Sequence, residues 1–372
     1  MSKINDLIEQ YARNGVKRMA LGDIAVLQRG ASITKKDVRD GNVPVVAGGR
    51  TAAYYHAESN RDGETVVVAG SGAYAGFVSW WEGPIFVSDA FSVKVNNDLL
   101  LPKFTYYWLT SQQARLHSEK KGGGVPHVYA KDVARYEMPV PPLEIQREIV
   151  RILDSFTALE AELEAELEAR RLQYAHYRSD LLDGASYSNA TELRVDDICS
   201  INRGIVISKD YLRDNPGNFP VYSSQTTNGG VFGLIDTFSY DDSESITWTT
   251  DGANAGSVFY HQNEKFTITN VCGRLIVKSP DVLSRFLFYQ LEYRAKSYVN
   301  EGMGNPKLMA NHMAAVRLPV PSLDEQRRIV GILDKFDALV NDLTSGLPAE
   351  IEARRQQYAY YRDRLLTFKE AS

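Results

Sequence analysis

Apolar residues recur at three- and four-residue steps in two stretches of this chain. Ile149, Ile152, Leu153, Phe156, Leu159 and Leu163 form one stripe, and Ile329, Ile332, Leu333, Phe336, Leu339 and Leu343 form another. That spacing places each set on one face of a helix. Stripes of this width must be buried, and the simplest partner for either copy is the other. Prolines precede both stretches: Pro139, Pro141 and Pro142 in the first, Pro319 and Pro321 in the second. They keep the residues before them extended. Ser322 and Glu325 then make a Ser-x-x-Glu capping box at the second start. The first helix is predicted over residues 143–182, roughly 60 Å at about 1.5 Å per residue. Such a length belongs to a coiled-coil spacer more than to a globular helix.

The two stretches are copies. Met138-Pro139-Val140-Pro141-Pro142-Leu143 through Ile152-Leu153-Asp154-Ser155-Phe156 returns 180 positions later as Leu318-Pro319-Val320-Pro321-Ser322-Leu323 through Ile332-Leu333-Asp334-Lys335-Phe336. The helix ends also match, Glu168-Ala169-Arg170-Arg171 to Tyr177-Arg178 with Glu352-Ala353-Arg354-Arg355 to Tyr361-Arg362. There the offset has grown to 184, so the second copy carries four extra residues. They fall near 344–348, where Gly346 is a helix stop and Pro348 a first-turn restart, so an interrupted second helix is expected. A period this long means a duplicated domain-plus-helix unit, not a solenoid. The Tyr/Arg-rich ends suit either docking of another protein or packing between the two helices.

Short apolar runs between Gly, Asn and Asp turns fill the stretches upstream of each helix. They predict strands, with one helix near 102–116 and a counterpart near 282–296. The two stretches share a frame more than a sequence. Gly72-Ala73-Tyr74-Ala75-Gly76 matches Gly252-Ala253-Asn254-Ala255-Gly256, and Gly122-Gly123-Gly124-Val125-Pro126-His127 matches Gly302-Met303-Gly304-Asn305-Pro306-Lys307. The fold class is α+β. At the start, Ile4, Leu7, Ile8 and Tyr11 make a short helical stripe ending at Asn14-Gly15. This helix is expected on the chain's own domains or near its C-terminal end. The expected division is 1–16 for that helix, 17–137 for the first domain, 138–185 for the central helix, 186–317 for the second domain and 318–372 for the interrupted C-terminal helix.

Composition adds limits. The 372 residues are 44% hydrophobic and 24% charged, ordinary for a globular protein. No apolar run approaches the length of a membrane span. The first residues form no apolar signal region, so a cytoplasmic location is expected. Cys199 and Cys272 stand far apart, which predicts two inert packed thiols and no metal site. Net charge is −5, which does not advertise a nucleic-acid binder. Its distribution matters more: basic residues gather between Arg29 and Arg39 and at Lys120-Lys121, acidic ones between Glu160 and Glu168. A local basic face can still bind phosphates. Gly70-Ser71-Gly72-Ala73-Tyr74-Ala75 fits a dinucleotide-binding glycine pattern, but a strand, not a helix, is predicted after it, so it is expected to be a strand–loop–strand turn. No P-loop, nucleophile elbow or zinc-protease motif is present.

The doubled Pro-Val-Pro…Gln-Arg…Ile-Val…Ile-Leu-Asp…Phe element, placed after each of two dissimilar domains, resembles the specificity subunit of type I restriction-modification enzymes. The Glu-Ala-Arg-Arg…Gln-Tyr…Tyr-Arg endings are similar too, so the likeness spans nearly the whole chain. It implies two similar target-recognition domains separated by two long antiparallel helices that form a coiled coil, with pseudo-two-fold symmetry. Each domain would read one half of a bipartite asymmetric site on double-stranded DNA. The helices would set the unread spacer and dock two modification (methyltransferase) subunits, with restriction (translocase and nuclease) subunits joining them. This chain would bind no cofactor and catalyse nothing; S-adenosylmethionine, ATP and Mg would belong to the partners, and no membrane is involved.

Loop position and donor chemistry select candidate contacts. Arg29, Lys35, Lys36, Lys120 and Lys121 in the first domain, with Arg203 and Lys209 in the second, are candidates for phosphates. Ser71, Tyr74 and His127, with Asp251, Asn254, Asn305 and Lys307, are candidates for base edges. The competing readings are a two-module scaffold, which would show no salt-dependent duplex binding, and an enzyme with an unrecognised nuclease site, which would cut DNA alone. The central helix repeats in fours from Leu159 to Arg170, and one tetrad is roughly 6 Å, near two base-pair rises. Deleting Leu163 to Glu166 is therefore expected to shorten the unread spacer and leave both half-sites unchanged. Mapping the methylated motif of the variant checks this, and altered half-sites would contradict it.

Overall fold

The computed structural model describes residues 2–34, 36–121, 124–185, 187–302, 304–342 and 344–371. Two compact units emerge: 1–164 with 350–372, and 165–349. The boundary falls inside the long helix.

The first unit runs α1 (Ser2–Tyr11), β1 (Arg18–Ala20), α2 (Leu21–Ile24), β2 (Ala25–Arg29), β3 (Val43–Val46), β4 (Tyr54–His56), β5 (Thr65–Ala69), β6 (Val78–Trp81), β7 (Phe86–Val87), β8 (Ala90–Val95), α3 (Pro102–Ser111), α4 (Gln113–Ser118), α5 (Ala130–Val133), β9 (Glu137–Pro139) and then α6 (Leu143–Leu182). Its strands form a four-stranded antiparallel sheet, β2-β8-β5-β6, a mixed three-stranded sheet, β4-β3-β7, and the pair β1-β9. The helix expected near 102–116 breaks at Gln112 into α3 and α4.

The second unit repeats this plan with β10 (Thr191–Arg194), α7 (Val195–Ile198), β11 (Cys199–Arg203), α8 (Lys209–Asp214), β12 (Phe219–Tyr222), β13 (Val231–Ile235), β14 (Glu244–Thr249), β15 (Val258–Gln262), β16 (Thr267–Ile268), β17 (Cys272–Val277), α9 (Ser284–Arg294), α10 (Ala310–Ala314), β18 (Arg317–Val320) and α11 (Leu323–Asn341). Its sheets are β11-β17-β14-β15, β13-β12-β16 and β10-β18. The chain closes with α12 (Leu347–Leu365), so the second long helix is interrupted where the four extra residues fall. Within the turn, a Cβ on Gly346 would lie 2.4 Å from the Ala338 carbonyl oxygen, so the break requires glycine.

Equal topology rests on unequal cores. Val68 faces Phe91 across β5 and β8, while Trp248 faces Gly273 at the matching place on β14 and β17. The large partner has changed strands. Gly273 leaves the gap: a Cβ there would sit 2.1 Å from the Trp248 ring. The indole Nε1 donates to the Leu308 carbonyl (2.9 Å), which satisfies it in the core. Cys199 and Cys272 are buried free thiols, and burial pushes both up to about 12.

Each long helix is locked to its own domain by one buried glutamine. Gln146 Oε1 accepts the Leu101 N–H (2.8 Å), while Nε2 donates to the Leu99 and Pro141 carbonyls (2.7 Å each). Gln326 repeats the arrangement with the Leu283 N–H (2.9 Å) and the Asp281 and Pro321 carbonyls (2.8 Å each). In this way the first turn of one helix supplies what the start of α3 or α9 lacks, an acceptor for an unpaired N–H. About two turns onward, the Tyr107 hydroxyl donates to Asp154 (2.5 Å) and the Tyr289 hydroxyl to Asp334 (2.6 Å). Burial and the neighbouring carboxylate raise both phenols, so they remain donors. At the second helix start Ser322 Oγ accepts the Glu325 N–H, but the Glu325 carboxylate takes Arg328 instead of closing the capping box.

Each apolar stripe is buried within its own unit, so the expected pairing of stripe on stripe is not what covers either. Ile149 and Leu153 are fully buried in the first unit's core with Phe104, Tyr107 and Leu365, and Ile152 packs against it. Phe156 stacks on Tyr361 (5.5 Å) and meets Tyr358 (6.4 Å). Ile329 and Leu333 are fully buried in the second unit with Leu182, Phe286 and Tyr289. Phe336 stacks on Tyr174 (5.9 Å) and meets Tyr177 (5.7 Å). Each stripe therefore packs on the tyrosine-rich end of the other copy, because antiparallel pairing brings the start of one helix to the end of its partner. Of the two uses expected for these ends, helix packing occupies Tyr174, Tyr358 and Tyr361, while Tyr360 stays 59% exposed. Ile332, Leu159 and Leu163 are half-buried. Leu339 is exposed and Val340 takes the inward place; Leu343 lies outside the described residues. Arg355 donates to Glu160 (2.6 Å) and Glu164 (2.5 Å), tying the glutamate repeat to α12.

The N-terminal helix packs where it was expected, beside the C-terminal tail. Ile4 is buried with Leu365 and Leu366, and Val16 exchanges backbone hydrogen bonds with Lys369 and Ala371. Tyr11 is exposed and Ala12 is buried instead. Lys3 and Arg151 bond to Glu148, which holds that carboxyl down at about 2.

Gln146→Leu strands three backbone groups, each costing about 1 kcal/mol or more. The variant is expected to lose about 3 kcal/mol of stability in urea titration of the full chain, and Gln326→Leu the same. A loss below about 1 kcal/mol would show that the clamp is dispensable.

Candidate nucleic-acid interface

In each domain two loops meet at one end of the larger sheet. The first follows β5, where the strand must turn back into β6. Gly72 (φ +86°) and Gly76 (φ +83°) make that turn, and Gly252 (φ +88°) and Gly256 (φ +83°) make it again after β14. Left-handed backbone of this kind favours glycine. No helix follows, so the glycine-rich segment is a strand–loop–strand turn. The second loop precedes α5 or α10. It is stitched to the first by Gly72 N–H to the Pro126 carbonyl (3.0 Å) and Val128 N–H to the Gly70 carbonyl (3.0 Å). In the second domain Gly252 N–H bonds the Pro306 carbonyl (3.0 Å) and Leu308 N–H the Thr250 carbonyl (3.0 Å). The second loop also closes on itself, Lys121 pairing with His127 and Asn300 with Lys307. The second domain's version is thus one residue longer than the sequence match implied.

This junction gathers several of the predicted contacts. In the first domain Arg29, Ser71 and His127 line one cleft of about 310 Å³. The His127 ring stacks on exposed Tyr129 (5.9 Å between centres). Tyr74 is exposed beneath the Arg50 guanidinium, 4.9 Å from its ring centre. Lys120 reaches the Ala73 carbonyl (3.0 Å), so it belongs to the junction. Lys121 pairs with Asp132 (2.7 Å), and that bond holds the Asp132 carboxyl below its usual range. Lys36 is exposed on the loop after β2, and Lys35 lies outside the described residues.

In the second domain Asn305 and Lys307 line a cleft of about 350 Å³ with Asn300. Asp251 faces Lys307 at 3.9 Å. Asn254 uses its carbonyl to hold the turn, accepting Ser257 N–H (3.1 Å), and leaves its side chain exposed. Arg203 donates to the Asn270 carbonyl (3.0 Å) at the end of β11, while Lys209 opens α8 on exposed surface. Among the described residues no group of His, Cys, Asp or Glu is disposed to hold a metal ion, and no helix is long and apolar enough to cross a membrane.

Sequence reasoning missed Arg50, Tyr129 and Asn300. Arg50 follows Gly48, whose backbone lies so close to Ser71 that a Cβ would be 2.3 Å from its carbonyl oxygen. The Gly48-Gly49 pair was the available signal, and only the close approach gives it meaning. Asn300 was hidden by the one-residue difference in loop length.

Comparison with known proteins agrees with this geometry. The family model described as the type I restriction modification DNA specificity domain matches twice, over residues 14–169 and 187–353. A putative type I specificity subunit of Mycoplasma pneumoniae is 45% identical over 237 residues, covering 62% of this chain and 92% of that protein. The EcoR124I/EcoR124II specificity subunit of Escherichia coli is 31% identical over 301 residues, covering 73% and 72%. The crystal structure of a type I restriction-modification S subunit from M. genitalium superposes with a TM-score of 0.61 at 19% identity, covering 94% of both chains. With one matched domain in each half, this chain belongs to the family of type I restriction-modification specificity subunits, the DNA-recognition components of systems whose catalysis resides in partner subunits.

Proposed function

We propose that each two-loop junction reads one half of a bipartite asymmetric site on duplex DNA. The observation that carries this is the duplicated junction itself: one backbone frame, held by equivalent hydrogen bonds, presents Arg29, Ser71, Tyr74 and His127 in one domain and Asp251, Asn254, Asn305 and Lys307 in the other. Phosphate contacts position a protein on DNA, and base-edge contacts specify sequence. A shared frame with different side chains meets both needs. Arg29, Lys36, Lys120, Lys121, Arg203 and Lys209 serve the first need in this reading.

The helices set the unread spacer and dock two modification subunits, and restriction subunits complete the assembly. A solved structure of type I complex assembly, matched with a TM-score of 0.58 at 17% identity, supports the fold this requires. The partners hold S-adenosylmethionine, ATP and Mg, and the complex works in the cytoplasm.

Mapping methylated adenines in cells with and without this chain tests the function. One bipartite motif is expected to vanish with the chain, and unchanged methylation would refute the reading. Lys120→Ala with Lys121→Ala is expected to lower the salt slope of duplex binding by about 1 to 2 units while leaving the motif unchanged. An unchanged slope would remove both lysines from the interface.

A further inference from the structure

The second domain carries an exposed apolar pair that its fold does not require. Ile205 is 62% exposed and Val206 79% exposed, on the loop leaving β11. The equivalent positions of the first domain, one and two residues past Gly30, are Ala31 and Ser32. The frame is therefore built without large branched apolar side chains at these places. The pair is also held rigidly. Before it, Gly204 packs so closely on β16 that a Cβ would lie 2.2 Å from the Ile268 carbonyl oxygen. The Ile205 N–H donates to that same carbonyl (3.2 Å), and Ile205 bridges to Thr269. After it, Ile207 is buried with Val221 and Ile235, and Ser208 caps α8 by accepting the Tyr211 N–H (3.1 Å). Two β-branched side chains with restricted χ1 thus project from a loop anchored at both ends.

Their neighbours are the candidate DNA contacts. Arg203 grips the Asn270 carbonyl in the turn that Ile205 bridges to, and the following residue, Val271, accepts the Thr250 N–H (3.1 Å) beside Asp251. The apolar pair therefore lies in continuity with the junction that holds Asp251 and Lys307. Among base edges in the major groove, the thymine C5-methyl is the apolar feature. We propose, resting on the DNA-recognition reading above, that Ile205 and Val206 read thymine methyl groups in the second domain's half-site. The first domain, with only the short Ala31 and Ser32 there, lacks the branched pair that makes this contact.

Deoxyuridine lacks only that methyl. The test measures binding of the full chain, assembled with its modification subunits, to duplexes carrying the mapped motif, each thymine of both half-sites replaced in turn by deoxyuridine. At one or two positions of a single half-site the replacement is expected to weaken binding about three- to fivefold, the effect of one buried methyl. In the variant Ile205→Ser with Val206→Ser, which removes both apolar side chains, the thymine and deoxyuridine duplexes are expected to bind equally. Thermal melting and subunit assembly of that variant are expected to be unchanged, since both side chains are exposed.

Equal binding of thymine and deoxyuridine duplexes by the unaltered complex overturns the proposal. So does a preference that survives in the variant, a loss of affinity in the variant that is the same size for thymine and deoxyuridine, or failed subunit assembly, which would assign the pair to a protein contact. Failure of the underlying reading looks different: the unaltered complex would show no preference for its mapped motif at all.

Discussion

The architecture depends on holding each long helix fixed to the domain that precedes it. Two buried glutamines do this. Gln146 and Gln326 each satisfy three backbone groups at the point where chain leaves the sheet region and enters the helix. A buried amide with every hydrogen bond made is directional, whereas apolar packing alone tolerates sliding and rotation. The tyrosine–aspartate bond about two turns onward fixes the rotation of each helix as well. If each helix is to hold its direction, its attachment to its domain must not turn.

The domains satisfy a second constraint, keeping one backbone while their surfaces diverge. The exchange of bulk from Phe91 to Trp248, balanced by Gly273, shows how far even the interior can drift when total volume is kept. What does not drift is the set of turn glycines and cross-loop hydrogen bonds at the junction, even though one loop is a residue longer in the second domain. The same glycines turn with φ near +85°, and the same amides pair across the loops. Side chains at the rim can then differ, because the backbone-to-backbone bonds that join the two loops do not use them.

Aromatic residues illustrate how one feature can serve packing where surface exposure would suggest recognition. Tyr174, Tyr358 and Tyr361 close over Phe336 and Phe156, so most of the ring area at the helix ends is spent on holding helices together. The exposed rings at the junction, Tyr74 and Tyr129, are instead covered by Arg50 or stacked on His127 at an open surface.

The duplication, the α+β class, the interrupted second helix, the turn after β5 and the placement of the N-terminal helix were all legible in the sequence. Each follows from local chemistry: periodicity, proline and glycine conformations, and the likeness of one half to the other. The pairing of the stripes was not legible. A stripe announces that a face will be buried but says nothing of which surface covers it, and antiparallel geometry gave Ile149 and Ile329 to different cores. Leu339 against Val340 is the same limit on the scale of one residue. Arg50, Asn300 and the Ile205–Val206 pair also needed coordinates, because their meaning comes from segments that lie dozens of residues away and meet only when strands pair. Sequence alone determined what each segment is, since that depends on neighbours along the chain. Tertiary structure alone decided what each segment touches, since burial, loop closure and the gathering of charges depend on neighbours in space.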